Sequence, residues 1–159
     1  MKIPEGSYVS IDGKTLRGSG NKSNGIEALH LLHAYSYEYG VVIGQLECHK
    51  EKTNEIPVSK ELVGMLNIKK TVITADAMLC QKEVIEKIAK DNDYIIAIKG
   101  NQKYMFEGVK ELFECKAGKE RTYTKTFNKG HGRTETRNYA LDTNIDWLDN
   151  KKEWKNMKA

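Results

Sequence analysis

The chain has 159 residues, which is enough for one domain with a hydrophobic core and too few for two domains of ordinary size. Its hydrophobic content of 39% and charged content of 30% are typical of globular proteins and exclude wholesale disorder. The formal net charge of +4 permits nucleic-acid binding without requiring it. No run approaches the roughly eighteen apolar residues of a membrane span, and the N-terminus lacks a signal-peptide core, so we expect a cytoplasmic protein with no membrane contact.

The first predicted elements are three strands joined by short connections. "SYVSID" is the first, and the runs "ALHLLHAYSYE" and "GVVIGQLECH" form a hairpin around Tyr39-Gly40. Apolar residues at helical spacing then predict a helix over 53–67, with Asn54 as its N-cap and Pro57 in its first turn.

Strands and helices alternate over the next part of the chain. The predicted elements are a strand over 69–78, a helix over 80–92, a strand over 93–100 and a helix over 101–114. Both strands are continuously apolar, which is typical of strands that are buried on both faces of a sheet. The three cysteines (Cys48, Cys80, Cys115) are scattered and odd in number, so we expect reduced, buried thiols rather than disulfides or a zinc site.

The character of the chain changes after residue 116. "ERTYTKTFN" and "RTETRNYALD" predict two strands around a glycine-containing turn, and the last stretch is polar and rich in lysine. We expect a core over 1–116, a β-hairpin insertion over 117–142 and a polar C-terminal segment over 143–159, which looks truncated. The order β-β-β-α-β-α-β-α plus a hairpin predicts an α/β fold with a mixed sheet, in the ribonuclease-H-like arrangement.

Two strands of this predicted sheet end on an aspartate. Asp12 follows "YVSI" and Asp76 follows "TVITA". If a right-handed crossover places these strands side by side and parallel, both carboxylates emerge at the same end of the sheet. Two close carboxylates repel unless a cation lies between them, and Mg²⁺ prefers such oxygen ligands. The alternative is that Asp12 forms a turn with Gly13 and that Asp76 caps a helix.

Several blocks of the sequence resemble a known family. "IDGKTLRGS", "HLLHAYSYEYGVVIGQ", "EKTNEIPVSKELVGML", "TVITADAMLCQKEVIEKI", "DYIIAIKGNQ" and "GHGRTETR" occur in this order. Together they resemble the insertion-sequence transposases that include the H-repeat-associated (ISAs-type) proteins, in the DDE class of ribonuclease-H-like transposases. The resemblance covers roughly residues 8 to 142.

The resemblance implies DNA transposition, a form of DNA recombination. A phosphodiester at the transposon end is hydrolysed, and the freed 3′ hydroxyl attacks target DNA. Asp12 and Asp76 match the first and second catalytic aspartates, and both would be ligands of Mg²⁺ (or Mn²⁺). The partners implied are transposon-end and target DNA and, in the full-length protein, a second copy in a homodimer.

One expected motif is missing from this sequence. The family's third carboxylate lies near the C-terminus in a helix with the pattern Trp-x-Ile-Glu, whereas Trp147 and Trp154 here begin different sequences. We therefore expect a fragment that is inactive alone. Glu135 is the substitute candidate, although its neighbours Arg133 and Arg137 favour a surface hairpin whose charges pair with one another or meet phosphates. Glu55 is expected to support the N-terminus of the first helix.

Basic and amide residues follow the predicted strand ends. Lys14, Arg17, Lys99 and Gln102, together with Arg133 of the hairpin, are the expected DNA contacts, although any single lysine often only solubilises a loop. Two alternatives stay open. One is a nuclease of the same fold that completes its site with Glu135, and the other is a non-catalytic remnant that binds DNA through its basic loops.

Overall fold

The computed structural model of the chain describes residues 3–48, 55–114, 122–130, 133–149 and 151–158. Its main elements are β1 (Tyr8–Leu16), β2 (Leu29–Ser36), β3 (Val41–Glu47), α1 (Glu55–Met65), β4 (Val72–Ala75), α2 (Lys82–Ile88), β5 (Asp93–Ile96), α3 (Lys103–Glu114), β6 (Thr122–Gly130) and β7 (Arg133–Leu141). Short 3₁₀ helices precede α2 at Ala77–Leu79 and α3 at Gly100–Gln102. The predicted element order is confirmed. The predicted N-cap Asn54 lies outside the described residues.

Five strands form one mixed sheet in the order β3-β2-β1-β4-β5. β1 runs antiparallel to β2 and parallel to β4, and β4 runs parallel to β5. The turn between β2 and β3 contains Gly40 with φ of +65°, a left-handed conformation that glycine adopts without steric cost. The predicted β2–β3 hairpin and the predicted parallel neighbours β1 and β4 are therefore both present.

β1 is longer than the sequence pattern predicts. We expected the strand to end at Asp12, but it continues to Leu16 because β2 pairs with it through Leu16↔Leu29. Its pairing with β4 ends earlier, at Ile11↔Ala75. Asp12 is thus the first residue of β1 beyond β4, and it is not the last residue of the strand.

One face of the sheet carries the main core. Val9 and Ile11 of β1 and Ile73 of β4 pack against Leu62 of α1 and Val84 of α2. On the opposite face, Tyr8, Tyr35 and Ile95 are 49%, 38% and 60% exposed. The prediction that 69–78 and 93–100 are buried on both faces is therefore wrong for β5, whose residues alternate between exposed and half-buried.

A second apolar cluster lies beyond β5. Met105 of α3, Ile85 of α2 and Cys80 pack with Leu148 and Trp154 of the C-terminal segment. The predicted apolar stripe of α3 is only partly covered, since Phe106 and Phe113 stay 38% and 40% exposed. The lysine-rich end of the chain is therefore part of the packed structure, although its composition is polar.

Two of the cysteines are free and buried, as predicted, and Cys115 lies outside the described residues. Burial raises the pKa of the Cys80 thiol from 9.0 to about 11. The neutral thiol therefore stabilises the fold fully below pH 9, and this contribution is lost as the pH rises through 11.

We expect the free energy of unfolding to fall by up to about 2 kcal/mol between pH 9 and pH 11 because of Cys80. Urea unfolding at both pH values measures the loss, and Cys80→Ala should reduce it. Part of the loss persists in the variant because burial raises the pKa of Tyr94, whereas the smaller effect of the Cys80 charge on that pKa is removed with the thiol. An equal loss in both chains would contradict the assignment to Cys80.

β6 and β7 form a separate two-stranded antiparallel sheet, paired from Thr122↔Leu141 to Gly130↔Arg133. This pair, which we name the ribbon, is the predicted hairpin. Of the helices that the structure describes, none has the length and apolar character that crossing a membrane requires.

Candidate functional site

The register of β1 and β4 relates the two predicted aspartates. The parallel pairs run from Tyr8↔Val72 to Ile11↔Ala75. Asp12 is the next residue of β1, and Asp76 is the first residue after the end of β4. Side chains at paired positions share a face, and neighbouring strands lie about 4.8 Å apart. Both aspartates are exposed. The structure thus brings them to the same edge of the sheet, at the carboxyl end of the parallel pair.

Asp76 also has a local structural role. Its Oδ1 accepts a hydrogen bond from the backbone N–H of Met78 at 2.8 Å, which caps the 3₁₀ helix after β4. The cap that we considered as an alternative is therefore present. A carboxylate has two oxygens and about four lone-pair sites, so this bond leaves Asp76 able to bind a cation as well.

Two amides hold the loop that carries Asp76. Asn101 Nδ2 donates to the carbonyl of Ala77, and Gln102 Nε2 donates to the carbonyl of Cys80 at 2.7 Å. These bonds tie the segment after β5 to the segment after β4. Sequence reasoning predicted a DNA contact for Gln102, and it missed this bracing because the acceptors are backbone carbonyls without a motif.

A histidine lies directly across from Asp12. The pair Asp12↔His33 belongs to the antiparallel register of β1 and β2, so both side chains are on one face. Lys14, two residues along β1, shares that face. The pairing of His33 with Asp12 can be read from a strand register but not from local spacing.

A hydrogen-bonded chain of polar side chains lies on the other face of β1, next to Asp12. His30 Nε2 lies 2.6 Å from Oε1 of Glu55, and His30 Nδ1 lies 2.8 Å from the hydroxyl of Thr15. Since the carboxylate only accepts, Nε2–H donates to Glu55. Glu55 is the first residue of α1 and is only 7% exposed. The chain therefore connects α1 to both strands of the β1–β2 pair.

Gly13 leaves the space that Glu55 occupies. A Cβ built on Gly13 would lie 2.7 Å from Glu55 Oε1. Burial, and next the charge of Glu55, raise the pKa of the Cys48 thiol. The expected role of Glu55 at the N-terminus of α1 is therefore compatible with its position, and the contact with His30 adds to that role.

The other predicted DNA contacts are distributed over two regions. Lys14 lies within β1, Arg17 follows the end of β1 and Lys99 follows β5, and all three are exposed. Arg133 begins β7 and pairs with Gly130, and its side chain lies outside the described residues.

Glu135 lies on the ribbon. It is exposed, and its Oε2 accepts from Arg137 Nη2 at 2.7 Å. The described residues contain no group of three or more His, Cys, Asp or Glu side chains that is arranged to hold a metal ion. Glu135 is thus not gathered with Asp12 and Asp76 into such a group.

Known proteins resemble this chain in sequence. It is 38% identical over 161 residues to "Putative transposase YncI" of Escherichia coli O157:H7, a match that covers 99% of this chain and 41% of that protein. It is 41% identical over 154 residues to "H repeat-associated putative transposase YhhI" of Escherichia coli K12, with 94% and 40% covered. The chain thus spans about 40% of the length of these relatives.

A solved structure resembles it in fold. The cryo-EM structure of the piggyBac transposase synaptic complex with hairpin DNA matches with a TM-score of 0.51 at 12% identity, over 90% of this chain and 35% of that chain. In sequence, the family described as "Transposase DDE domain" matches residues 4–153. That match covers almost the whole chain, and the chain belongs to the DDE transposase domain family.

Proposed function

We propose that this chain is the ribonuclease-H-like core of an insertion-sequence transposase, which acts on DNA by phosphodiester hydrolysis and strand transfer. The observation that carries the proposal is the β1–β4 register, because Asp12 and Asp76 each come one residue after its last pair, Ile11↔Ala75. The sheet order β3-β2-β1-β4-β5 and the antiparallel β1–β2 pair support the fold assignment. Family membership supports the reaction class.

The donor set of the site fits a hard divalent cation. Asp12 and Asp76 offer carboxylate oxygens on one exposed face, and Mg²⁺ (or Mn²⁺) prefers such ligands and keeps open positions for phosphate. When bound, the cation supplies electrostatic stabilisation of the attacking and leaving oxygens of a phosphodiester. The role of Asn101 and Gln102 is to hold the Asp76 loop in place.

Cations at the same sheet edge favour a polyanionic partner. Lys14, Arg17 and Lys99 neutralise backbone phosphates of transposon-end and target DNA, which fixes the position of the duplex without reading its sequence. We propose that the whole protein is a homodimer and that it acts in the cytoplasm.

Strand transfer is expected to be weak or undetectable for this chain alone. Among the described residues, no third carboxylate is grouped with Asp12 and Asp76 into a set that could hold a metal ion, and metal-dependent displacement loses rate steeply when positioning is lost. A nuclease that uses Glu135 is the second candidate. It is favoured by the exposure of Glu135, although Arg137 already pairs with that carboxylate. A non-catalytic DNA-binding remnant is the third.

The test is a cleavage assay on duplex DNA carrying a transposon end, with Mg²⁺ or Mn²⁺. Weak or absent nicking, together with metal binding that depends on Asp12 and Asp76, supports the proposal. Nicking that Glu135→Gln abolishes supports the nuclease. Salt-sensitive DNA binding that Asp12→Asn leaves unchanged, without any metal binding, supports the remnant. Efficient nicking that Asp76→Ala abolishes and Glu135→Gln spares would contradict the expected inactivity.

A further inference from the structure

The ribbon has two faces of different chemistry. The antiparallel register places Lys125, Phe127 and Lys129 of β6 on one face, next to their β7 partners Asn138, Thr136 and Thr134. We name this the lysine face. All six of these residues are exposed, and Phe127 is 66% exposed. None of the six is acidic.

The described side chains of the opposite face are balanced in charge. It carries Glu135 and Arg137, whose side chains form an ion pair, with Thr126 and Asn128 as cross-strand partners. Arg137 therefore already has a carboxylate partner, whereas the lysine face presents two cations and no acid among its described residues. Among the described side chains, the net positive charge of the ribbon thus lies on the lysine face.

The dimensions of the lysine face match a duplex groove. Lys125 and Lys129 are four residues apart on an extended strand, which separates them by roughly 13 Å. The major groove of DNA is about 12 Å wide and admits a two-stranded ribbon. A ribbon that crosses the groove can therefore place one lysine on each phosphate backbone, with Phe127 between them.

The side chains between the lysines are suited to base edges. Phe127 offers apolar contact of the kind made with a thymine methyl group, and the amide of Asn138 can bind an adenine edge. The ribbon is a separate two-stranded sheet, and such a pair is marginally stable alone in water. A partner that covers an exposed phenylalanine therefore also offsets the cost of ordering the ribbon.

We propose that the lysine face of the ribbon is a second DNA-binding surface, which inserts into the major groove of duplex DNA. Lys125 and Lys129 contact phosphates, and Phe127 and Asn138 contact base edges. The inference rests on the proposed function, because it takes DNA as the partner of the chain. It adds a site that is distinct from the sheet edge with Asp12 and Asp76.

The experiment measures the affinity of the full chain for a duplex at several salt concentrations. We expect the double variant Lys125→Gln/Lys129→Gln to make the slope of log K against log salt less negative by about 2. Lys125→Arg/Lys129→Arg should keep the slope of the unmodified chain. Phe127→Thr, which introduces a β-branched residue that strands favour, should lower affinity several-fold at every salt concentration with the slope unchanged.

The matched control is Lys90→Gln/Lys110→Gln, which removes the same charge from exposed positions near α2 and on α3. If the ribbon double variant has the same slope as this control while the unmodified chain binds duplex, the ribbon proposal is overturned and the proposed function stands. If the unmodified chain binds no duplex, the proposed function falls and the ribbon site with it. Phe127-dependent binding of single strands in preference to duplex would also overturn the groove proposal.

Discussion

Asp76→Asn is expected to keep its fold and to lose most of its affinity for Mn²⁺. Asparagine is as good a cap as aspartate, so the bond to the N–H of Met78 survives. The substitution removes the negative charge and one anionic oxygen ligand from the proposed pair with Asp12. We expect at least a tenfold loss of affinity, since even indirect contacts to a metal ligand contribute about that factor. Titration calorimetry measures the affinity.

Two further variants separate the cap from the cation site. Asp76→Ala loses the cap as well and is expected to cost about 1 kcal/mol in stability, which Asp76→Asn does not. Asp149→Asn removes an exposed carboxylate of the C-terminal segment and should leave Mn²⁺ affinity unchanged. The proposed metal pair would be contradicted if Mn²⁺ affinity were the same in the unmodified chain, Asp12→Asn and Asp76→Asn.

Glu55→Ala is expected to destabilise the fold by about 2–3 kcal/mol, because it leaves His30 without its acceptor in a buried site. For a chain of this length the melting temperature should fall by about 4–12 °C. Glu55→Gln, whose amide oxygen still accepts from His30, should cost less. Glu61→Ala, an exposed position of α1, is the matched control and should change stability by less than about 0.5 kcal/mol. Thermal unfolding followed by circular dichroism measures all three.

A double-mutant cycle with Gly13 tests the same contact. Gly13→Ala places a Cβ against the Glu55 carboxylate and should cost about 1–2 kcal/mol by overpacking. In the Glu55→Ala background the clash is absent, so the second substitution should cost much less. Additive losses would show that Gly13 and Glu55 are energetically independent, contrary to the packing that we describe.

The order of elements and the parallel pairing of β1 with β4 were predictable from hydrophobic period and crossover handedness. "YVSI" and "TVITA" are apolar runs of strand length, and the right-handed rule makes them parallel neighbours. The end of β1 was not predictable in this way. Asp12 is a poor strand residue by propensity, yet β2 supplies hydrogen-bond partners through Leu16, and this long-range pairing overrides the local preference.

The contacts of His30, His33 and Gln102 could be found only from the three-dimensional structure. His30 meets Glu55 across 25 residues of sequence, and Gln102 meets a backbone carbonyl 22 residues away. Neither contact has a short motif. The apolar content of β5 likewise predicted burial on two faces, whereas Ile95 is exposed, because an apolar residue in a strand indicates only that burial is favourable.

Because the β1–β4 pairing ends early, the two halves of β1 differ in the number of strands that hold them in place. From Val9 to Ile11, β1 pairs with β2 on one side and with β4 on the other. From Asp12 to Leu16, β2 is its strand partner among the described residues. Bending of residues 12–16 therefore need not break the hydrogen bonds between β1 and β4. The part of β1 at the edge proposed to face a substrate can therefore move without disturbing the core. Asp12 lies at the boundary between the two parts.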